Sequence, residues 1–306
     1  MTRPMETLTP QWTDYELLDS GDGKKLERFG EFTLVRPEPQ ARWGAALPAQ
    51  NWEAAHGEFV KTTRALKGAW RFGKPIPKRW RMQRENLVFC VQPTPSGHLG
   101  VFPDQACHWN WIEEVTRRAA GPIKLLCLFA HTGLTSLAAA AAGAEVTHVD
   151  ASRKAVAWAR ENQSLSGLGA RAIRWIVEDA PTFVRREKRR GNQYDAMVLD
   201  PPRFGRGPGG EIWKLDDSFP ELLAACGSIL TARPVFVLLN VYVTVLTRAR
   251  VEREAERLRS RLKEMLGESR VTITAGELAL QDAAGRRISS SVFARARPWK
   301  QIGQDG

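Results

Sequence analysis

Chemistry in this chain concentrates at a few acids and one turn. Asp200 closes an apolar run and opens Asp200-Pro201-Pro202-Arg203-Phe204, an acid followed by two prolines that stiffen the turn. Neither proline presents an N–H, so the carbonyls around them are open to accept hydrogen bonds from a bound molecule. Asp150 ends another apolar run and precedes Ala151 and Ser152, while Asp179 and Ala180 follow a third. A carboxylate at the tip of a strand can accept both hydroxyls of a ribose. Such an acid can equally cap the helix that follows it, because aspartate accepts from the first free N–H groups. The turn Phe129-Ala130-His131-Thr132-Gly133 completes the set, with Gly133 letting the backbone approach a ligand.

These positions make a site only if the elements around them bring them together. After Gly121-Pro122 apolar strands alternate with helices. The pattern predicts strands over Ile123–Phe129, Glu145–Asp150, Ala172–Val177, Tyr194–Leu199 and Val235–Leu239. Helices are predicted over Leu134–Ala142, Arg153–Leu165, Ala180–Lys188, Leu215–Leu230 and Arg250–Leu266. Repeated units of this kind build a parallel sheet with helices on both faces. The last two strands, V-T-I-T-A-G-E-L-A-L and R-I-S-S-S-V-F-A-R, are joined too tightly for a parallel return and must form an antiparallel hairpin. The fold expected is α/β: a Rossmann-like, doubly wound, mostly parallel seven-stranded sheet with a C-terminal antiparallel hairpin.

Upstream the text changes. Tyr15–Val35 carries short apolar stretches between Asp/Gly clusters, the punctuation of a small β-rich unit. Arg36–Arg84 reads as irregular, with Trp43, Trp52, Trp70 and Trp80 among basic residues; these rings either stack bases or pack a small core. A hairpin is expected from Leu87–Gln92 and Gly100–Phe102 across P-T-P-S-G-H. The chain thus divides into a β-rich domain, residues 1–98, and a second domain, residues 99–306.

In a doubly wound sheet the ligand lies beyond the carboxyl ends of the strands. A dinucleotide would require G-x-G-x-x-G after the first strand, to wrap a pyrophosphate on a helix N-terminus. The run here is H-T-G-L-T-S-L, with no phosphate cradle. S-adenosylmethionine has no phosphate and needs none. Asp150 then serves the ribose, and Asp179 accepts from the adenine amino group.

F-A-H-T-G, V-D-A-S-R-K-A-V-A-W-A-R-E-N, E-D-A and D-P-P-R-F, in this order, resemble the class I S-adenosylmethionine-dependent methyltransferases, and among them the bacterial family that modifies large-subunit ribosomal RNA. The resemblance covers about Gly100 to Val243. It implies that Phe129, Ala130, His131, Thr132 and Gly133 line the methionine part of the cofactor, with Asp150, Ala151 and Ser152 beside the ribose and Asp179 and Ala180 near adenine. It also implies that Asp104 and Gln105 reach the cofactor from outside the sheet. Asp-Pro-Pro-aromatic is similar to the signature of methyltransferases acting on nitrogen. In that pattern Asp200 accepts from the attacking N–H, Pro201 and Pro202 shape the turn, and Phe204 stacks on the base.

One departure redirects the chemistry. The best-known relatives methylate carbon 5 of cytosine, which needs a cysteine nucleophile just after the fifth strand. Leu239-Asn240-Val241-Tyr242-Val243-Thr244 contains none. Cys90, Cys127 and Cys226 fall in expected strands or a helix, and Cys107 alone falls near the mouth of the cleft. Nitrogen or oxygen becomes the expected acceptor, and Asn240 and Tyr242 either shape its pocket or pack a strand end.

Lys and Arg exceed Asp and Glu by 45 − 34 = 11, an excess that favours polyanions, so RNA is the expected partner. The run Arg185–Arg190 either contacts phosphates or is a solvated helix end suited to the macrodipole. The cysteines show no C-x-x-C pair, so neither a metal site nor a disulfide framework is expected. No apolar run reaches membrane-spanning length and Met1–Gln11 lacks a signal-peptide core, so a cytoplasmic protein is expected. The competing readings are a methyltransferase acting on a small molecule or protein, and a catalytically silent RNA-binding module of the same fold.

Overall fold

The computed structural model describes residues 5–61, 68–242, 247–267 and 271–298. The first elements are β1 (Glu6–Leu8), β2 (Tyr15–Gly21), β3 (Lys24–Phe29), β4 (Phe32–Pro37), α1 (Ala49–Glu53), β5 (Gly57–Lys61), β6 (Gly68–Phe72), β7 (Trp80–Arg84) and β8 (Leu87–Val91). A 3-10 turn at Pro103–Gln105 leads into α2 (Ala106–Arg117), β9 (Lys124–Leu128), α3 (Leu134–Ala141), β10 (Glu145–Asp150), α4 (Arg153–Leu165), β11 (Ile173–Val177) and α5 (Ala180–Arg189). Then come β12 (Ala196–Leu199), β13 (Phe204–Arg206), β14 (Ile212–Lys214), α6 (Leu215–Gly227), β15 (Phe236–Tyr242), α7 (Arg248–Leu266), β16 (Val271–Gln281) and β17 (Arg287–Pro298).

The large sheet runs β1-β16-β17-β15-β12-β9-β10-β11. Strands β9, β10, β11, β12 and β15 are parallel, and β17 closes the sheet antiparallel to both β15 and β16. The expected α/β sheet with its terminal hairpin is therefore present. It gains an eighth strand, because β1 pairs parallel to β16 at Glu6↔Gly276 through Leu8↔Leu278. Central strands K-L-L-C-L, A-M-V-L and F-V-L-L-N-V-Y are almost wholly buried, as parallel strands covered on both faces must be. Because β10 lies on one side of β9 and β12 on the other, the strand order reverses between β9 and β12. A crevice opens there.

Strands β2–β6 form a second sheet and β7–β8 a separate pair. The stretch read as irregular thus holds three strands. They are short, and their apolar positions alternate with charge too briefly to register. Partners also differ from expectation before the cleft: β8 ladders with β7, Trp80↔Val91 through Arg84↔Leu87. Pro93 and Pro95 deny N–H groups to the following segment, which closes through Gln92 N to Leu99 O at 3.1 Å, Thr94 N to His98 O at 3.0 Å and Thr94 Oγ1 to His98 O at 2.7 Å.

One apolar core joins the two regions. Tyr15, Phe29, Trp80 and Phe89 pack in the same cluster as Leu134, Leu137 and Ala138 of α3 and Leu280 and Ile288 of the terminal hairpin. The four tryptophans are structural here, each indole N–H being bonded within the fold: Trp43 to Ser20 O, Trp52 to Asp19 Oδ2, Trp70 to Thr94 O and Trp80 to Phe29 O.

Candidate functional site

A cleft of about 400 Å³ opens at the carboxyl ends of β9, β10, β11 and β12. Its size suits a nucleoside-sized ligand. Its wall includes Gln105, Phe129, Ala130, His131, Thr132, Gly133, Asp150, Ala151, Ser152, Asp179, Ala180, Asp200 and Pro202. Asp104, Pro201 and Phe204 lie outside that lining: Asp104 and Pro201 are buried behind it, and Phe204 is 55% exposed on β13.

The turn after β9 is held in an unusual shape. Phe129, His131 and Gly133 have φ of 56°, 49° and 88°, two of them non-glycine residues in the left-handed region. Such a backbone persists only where its surroundings fix it. Asp150 does so at one side: Oδ2 accepts from His131 N at 2.8 Å and Oδ1 from Ser152 N at 2.8 Å. Asn162 of α4 braces the other side, donating through Nδ2 to Thr132 O at 3.0 Å, while Thr132 Oγ1 donates to Gly100 O at 2.5 Å. Glycine is required at 133 for a second reason, since a Cβ there would lie 2.8 Å from that of Ala159.

Each Asp150 oxygen has one N–H partner and keeps lone-pair capacity for hydroxyls in the cleft. Burial pushes its carboxyl above the ordinary range, opposed by the Ser152 and His131 N–H groups. Asp179 caps α5, accepting through Oδ2 from Thr182 N at 3.1 Å and Thr182 Oγ1 at 3.0 Å. The capping alternative is thus realised, and the same residue still lines the cleft. Ser152 likewise caps α4, accepting from Ala155 N at 3.2 Å.

At the other end stands Asp200. Asn240 Nδ2 donates to its Oδ1 at 2.7 Å, and Gln105 Nε2 approaches its Oδ2 at 3.3 Å while donating to Tyr242 OH at 3.0 Å. Burial lifts the Asp200 carboxyl to about 7; the Asn240 hydrogen bond opposes this and nearby Asp104 adds to it. Asp104 is itself buried, with Ser290 Oγ donating to it at 2.7 Å.

The G-R-G-P-G-G segment is closed as the β13–β14 hairpin. Trp213 anchors it, donating from Nε1 to Pro202 O at 2.7 Å and packing 4.8 Å, centroid to centroid, from the Phe129 ring. The Pro202 carbonyl, expected to face a bound molecule, is engaged by this indole. Cys107 does not line the cleft; Cys127 does, but burial lifts its thiol to about 12, and that of Cys107 to about 11. Neither is a thiolate at neutral pH.

Trp213, Trp109, Gly100, Val101 and Phe102 also line the cleft and were missed from the sequence. All but Trp213 come from Gly100–Phe102 and α2, where no helix was read; the apolar spacing Ala106, Trp109, Ile112 was the available signal.

The family model of S-adenosylmethionine-dependent methyltransferases matches residues 43–244. The chain belongs to that family. Along nearly its whole length this methyltransferase is similar to a SAM-dependent methyltransferase from Agrobacterium tumefaciens, 38% identical, with 98% of each chain covered and a TM-score of 0.88. A proposed SAM-dependent methyltransferase from Streptococcus mutans shares the fold, at 18% identity and a TM-score of 0.69 over 94% of this chain and 76% of that one. SMU.776, a proposed methyltransferase solved with SAH, gives the same figures. Curated relatives include the ribosomal RNA large subunit methyltransferases K/L of Shewanella oneidensis and Shewanella baltica, 29% and 34% identical over 57% of this chain. The chain spans only 23% of the length of each. Its cofactor is S-adenosylmethionine, and the acids, the crevice position and the absence of a phosphate cradle fit that molecule. Among the described residues no helix is long and apolar enough to cross a membrane.

Proposed function

We propose that this methyltransferase modifies a base nitrogen of ribosomal or other structured RNA by direct in-line transfer. The observation that carries the reading is Asp200, a proton-accepting carboxylate at the tip of β12 in a cleft whose only lining thiol, among the described residues, is protonated. A covalent cysteine route has no nucleophile there, whereas nitrogen needs alignment and an acceptor for its proton.

S-adenosylmethionine supplies an electrophilic methyl carbon. Phe129, Ala130, His131, Thr132 and Gly133 would hold its methionine part, Asp150, Ala151 and Ser152 its ribose, and Asp179 and Ala180 its adenine. Gln105 would close the site from the 3-10 turn, with Asp104 buried behind it. Asp200 would accept from the nucleophile's N–H, on a turn stiffened by Pro201 and Pro202. Phe204 would stack on the base as it enters. The β-rich region, residues 1–98, would help recognise substrate and residues 99–306 would carry the chemistry, in a cytoplasmic enzyme.

RNA as substrate is supported by the net charge of +11 and by the names of the curated relatives. The test is transfer of labelled methyl groups to RNA across a salt series. Affinity is expected to fall steeply with salt, because neutralised phosphates release counterions. Asp200→Ala is expected to lower transfer by about 100-fold or more with SAH binding retained. Labelling of a small molecule or protein instead, or RNA binding with no labelling, would assign the chain to a different substrate class or to a silent module.

A further inference from the structure

Behind Asp200 runs a buried chain of polar side chains that transfer by itself does not require. Arg295 of β17 directs Nε to His108 Nδ1 at 3.2 Å, sets Nη2 against the same nitrogen, and donates from Nη2 to Cys107 O at 3.0 Å. His108 Nε2 lies 3.3 Å from Asn240 Oδ1, and Ser291 Oγ donates to that oxygen at 2.9 Å. Asn240 Nδ2 then reaches Asp200 Oδ1 at 2.7 Å. His108, Asn240 and Ser291 are at most 1% exposed.

The directions of these bonds are fixed by chemistry. A guanidinium only donates, so His108 Nδ1 must accept, and the imidazole is neutral with its hydrogen on Nε2. Burial and the Arg295 charge agree, both holding His108 well below the usual imidazole range. Nε2–H and the Ser291 hydroxyl therefore both point at Asn240 Oδ1. With its oxygen fixed by two donors, the Asn240 amide cannot flip, and its NH₂ must face Asp200. Asp200 Oδ1 is thereby committed as an acceptor. Among the described residues Oδ2 has only the long Gln105 contact, and Gln105 Nε2 is shared with Tyr242 OH.

We infer that Asn240, oriented by Arg295, His108 and Ser291, is a positioning residue that reserves Oδ2 of Asp200 for the proton released by the methylated nitrogen. The inference rests on the nitrogen-transfer reading above. The attacking nitrogen forms its bond to the methyl carbon with its lone pair, and the carbon–sulfur pair stays on sulfur and cancels the sulfonium charge. The N–H proton passes to Asp200 Oδ2, so charge and atoms balance. Ionisable groups near Asp200 are Asp104 from the 3-10 turn, Tyr242 from β15 and the Cys127 thiol from β9; Arg295, in contact with His108, reaches Asp200 only through the chain of polar side chains. An Asp200 carboxyl near 7 suits an acceptor that must take and release a proton at neutral pH.

The experiment is NMR on the protein free of cofactor and substrate, so its outcome is independent of whether RNA is methylated. Imidazole-nitrogen shifts are expected to show His108 as the neutral Nε2–H tautomer from about pH 5 to about pH 8. An imidazolium, or the Nδ1–H tautomer, would overturn the inference. Carboxyl-carbon titration of Asp200 in Asn240→Ala is expected to move its midpoint up by roughly one pH unit, since a hydrogen bond to the charged form is lost. An unchanged midpoint in a variant that still binds SAH would equally overturn it. Failure to label RNA with both NMR results as expected would remove only the substrate assignment.

Discussion

At the level of single residues, Asp150 and Asp200 keep different partners, and the proposed reading gives the first to binding and the second to transfer. Asp150 ties the β9 turn to the β10 tip through His131 N and Ser152 N and retains lone-pair capacity toward the cleft. Asp150→Ala is expected to weaken SAH binding by about 30-fold or more, read by calorimetry, as two N–H groups lose their acceptor and the ligand loses one too. Asp200 carries a different signature. Its carboxyl is raised to about 7, so the fold holds its neutral form to a higher pH than an ordinary aspartate and still leaves carboxylate to accept a proton near neutrality. The stability tied to this group is full below the ordinary aspartate range and is lost as pH rises through about 7. Asp200→Asn, which cannot ionise, is expected to melt at higher temperature than the parent at about pH 8, with the difference shrinking towards about pH 4. Equal differences at both pH values would show that Asp200 is not held in its neutral form.

At the level of elements, the β13–β14 hairpin is the part whose role its composition hides. Glycines and prolines make it read as loose, yet Trp213 on β14 is 3% exposed and pins the hairpin to Pro202 and Phe129. Trp213→Ala is expected to cost roughly 3–5 kcal/mol in denaturant unfolding and to weaken SAH binding. Trp213→Phe keeps the ring, loses the hydrogen bond, and should cost about 1 kcal/mol. The basic run lies at the C-terminal end of α5, where Arg186 pairs with Glu178 at 2.6 Å and Arg190 with Glu187 at 3.4 Å.

Across the whole molecule, an arginine stands at the centre of the polar ties between the N-terminal sheet and the terminal hairpin. Arg286 donates from Nη2 to Asp19 Oδ1, from Nε to Asp282 Oδ2 at 2.8 Å, and from Nη1 to Gly44 O at 2.7 Å. Asp19 and Asp282 are buried, and Ser20 Oγ donates to Asp282 at 2.6 Å. Arg286→Ala would take the counter-charge from two buried carboxylates and is expected to lower unfolding free energy by roughly 2–4 kcal/mol, less than for a fully enclosed pair because Arg286 is partly solvated and both acids keep other donors. Limited proteolysis should then cut first between the two regions; a single unchanged unfolding transition with no loss of stability would show that the apolar core alone joins them.

Much of this was legible in the amino-acid order. Glu145–Asp150 and Arg153–Leu165 begin and end where the apolar period and the Ser152 cap place them, because local patterning sets where such elements start and stop. The strand-tip acids could be found for the same reason, since in a parallel sheet every strand delivers its C-terminal residue to one edge. What lies between elements distant in sequence was not legible. No spacing announces that β1 joins β16 across the chain, that Trp213 occupies the Pro202 carbonyl, or that Arg295 reaches Asp200 through His108 and Asn240. Those contacts depend on which faces meet when the sheet and its helices pack. Sequence determines the faces one element at a time, and only the tertiary structure decides their partners.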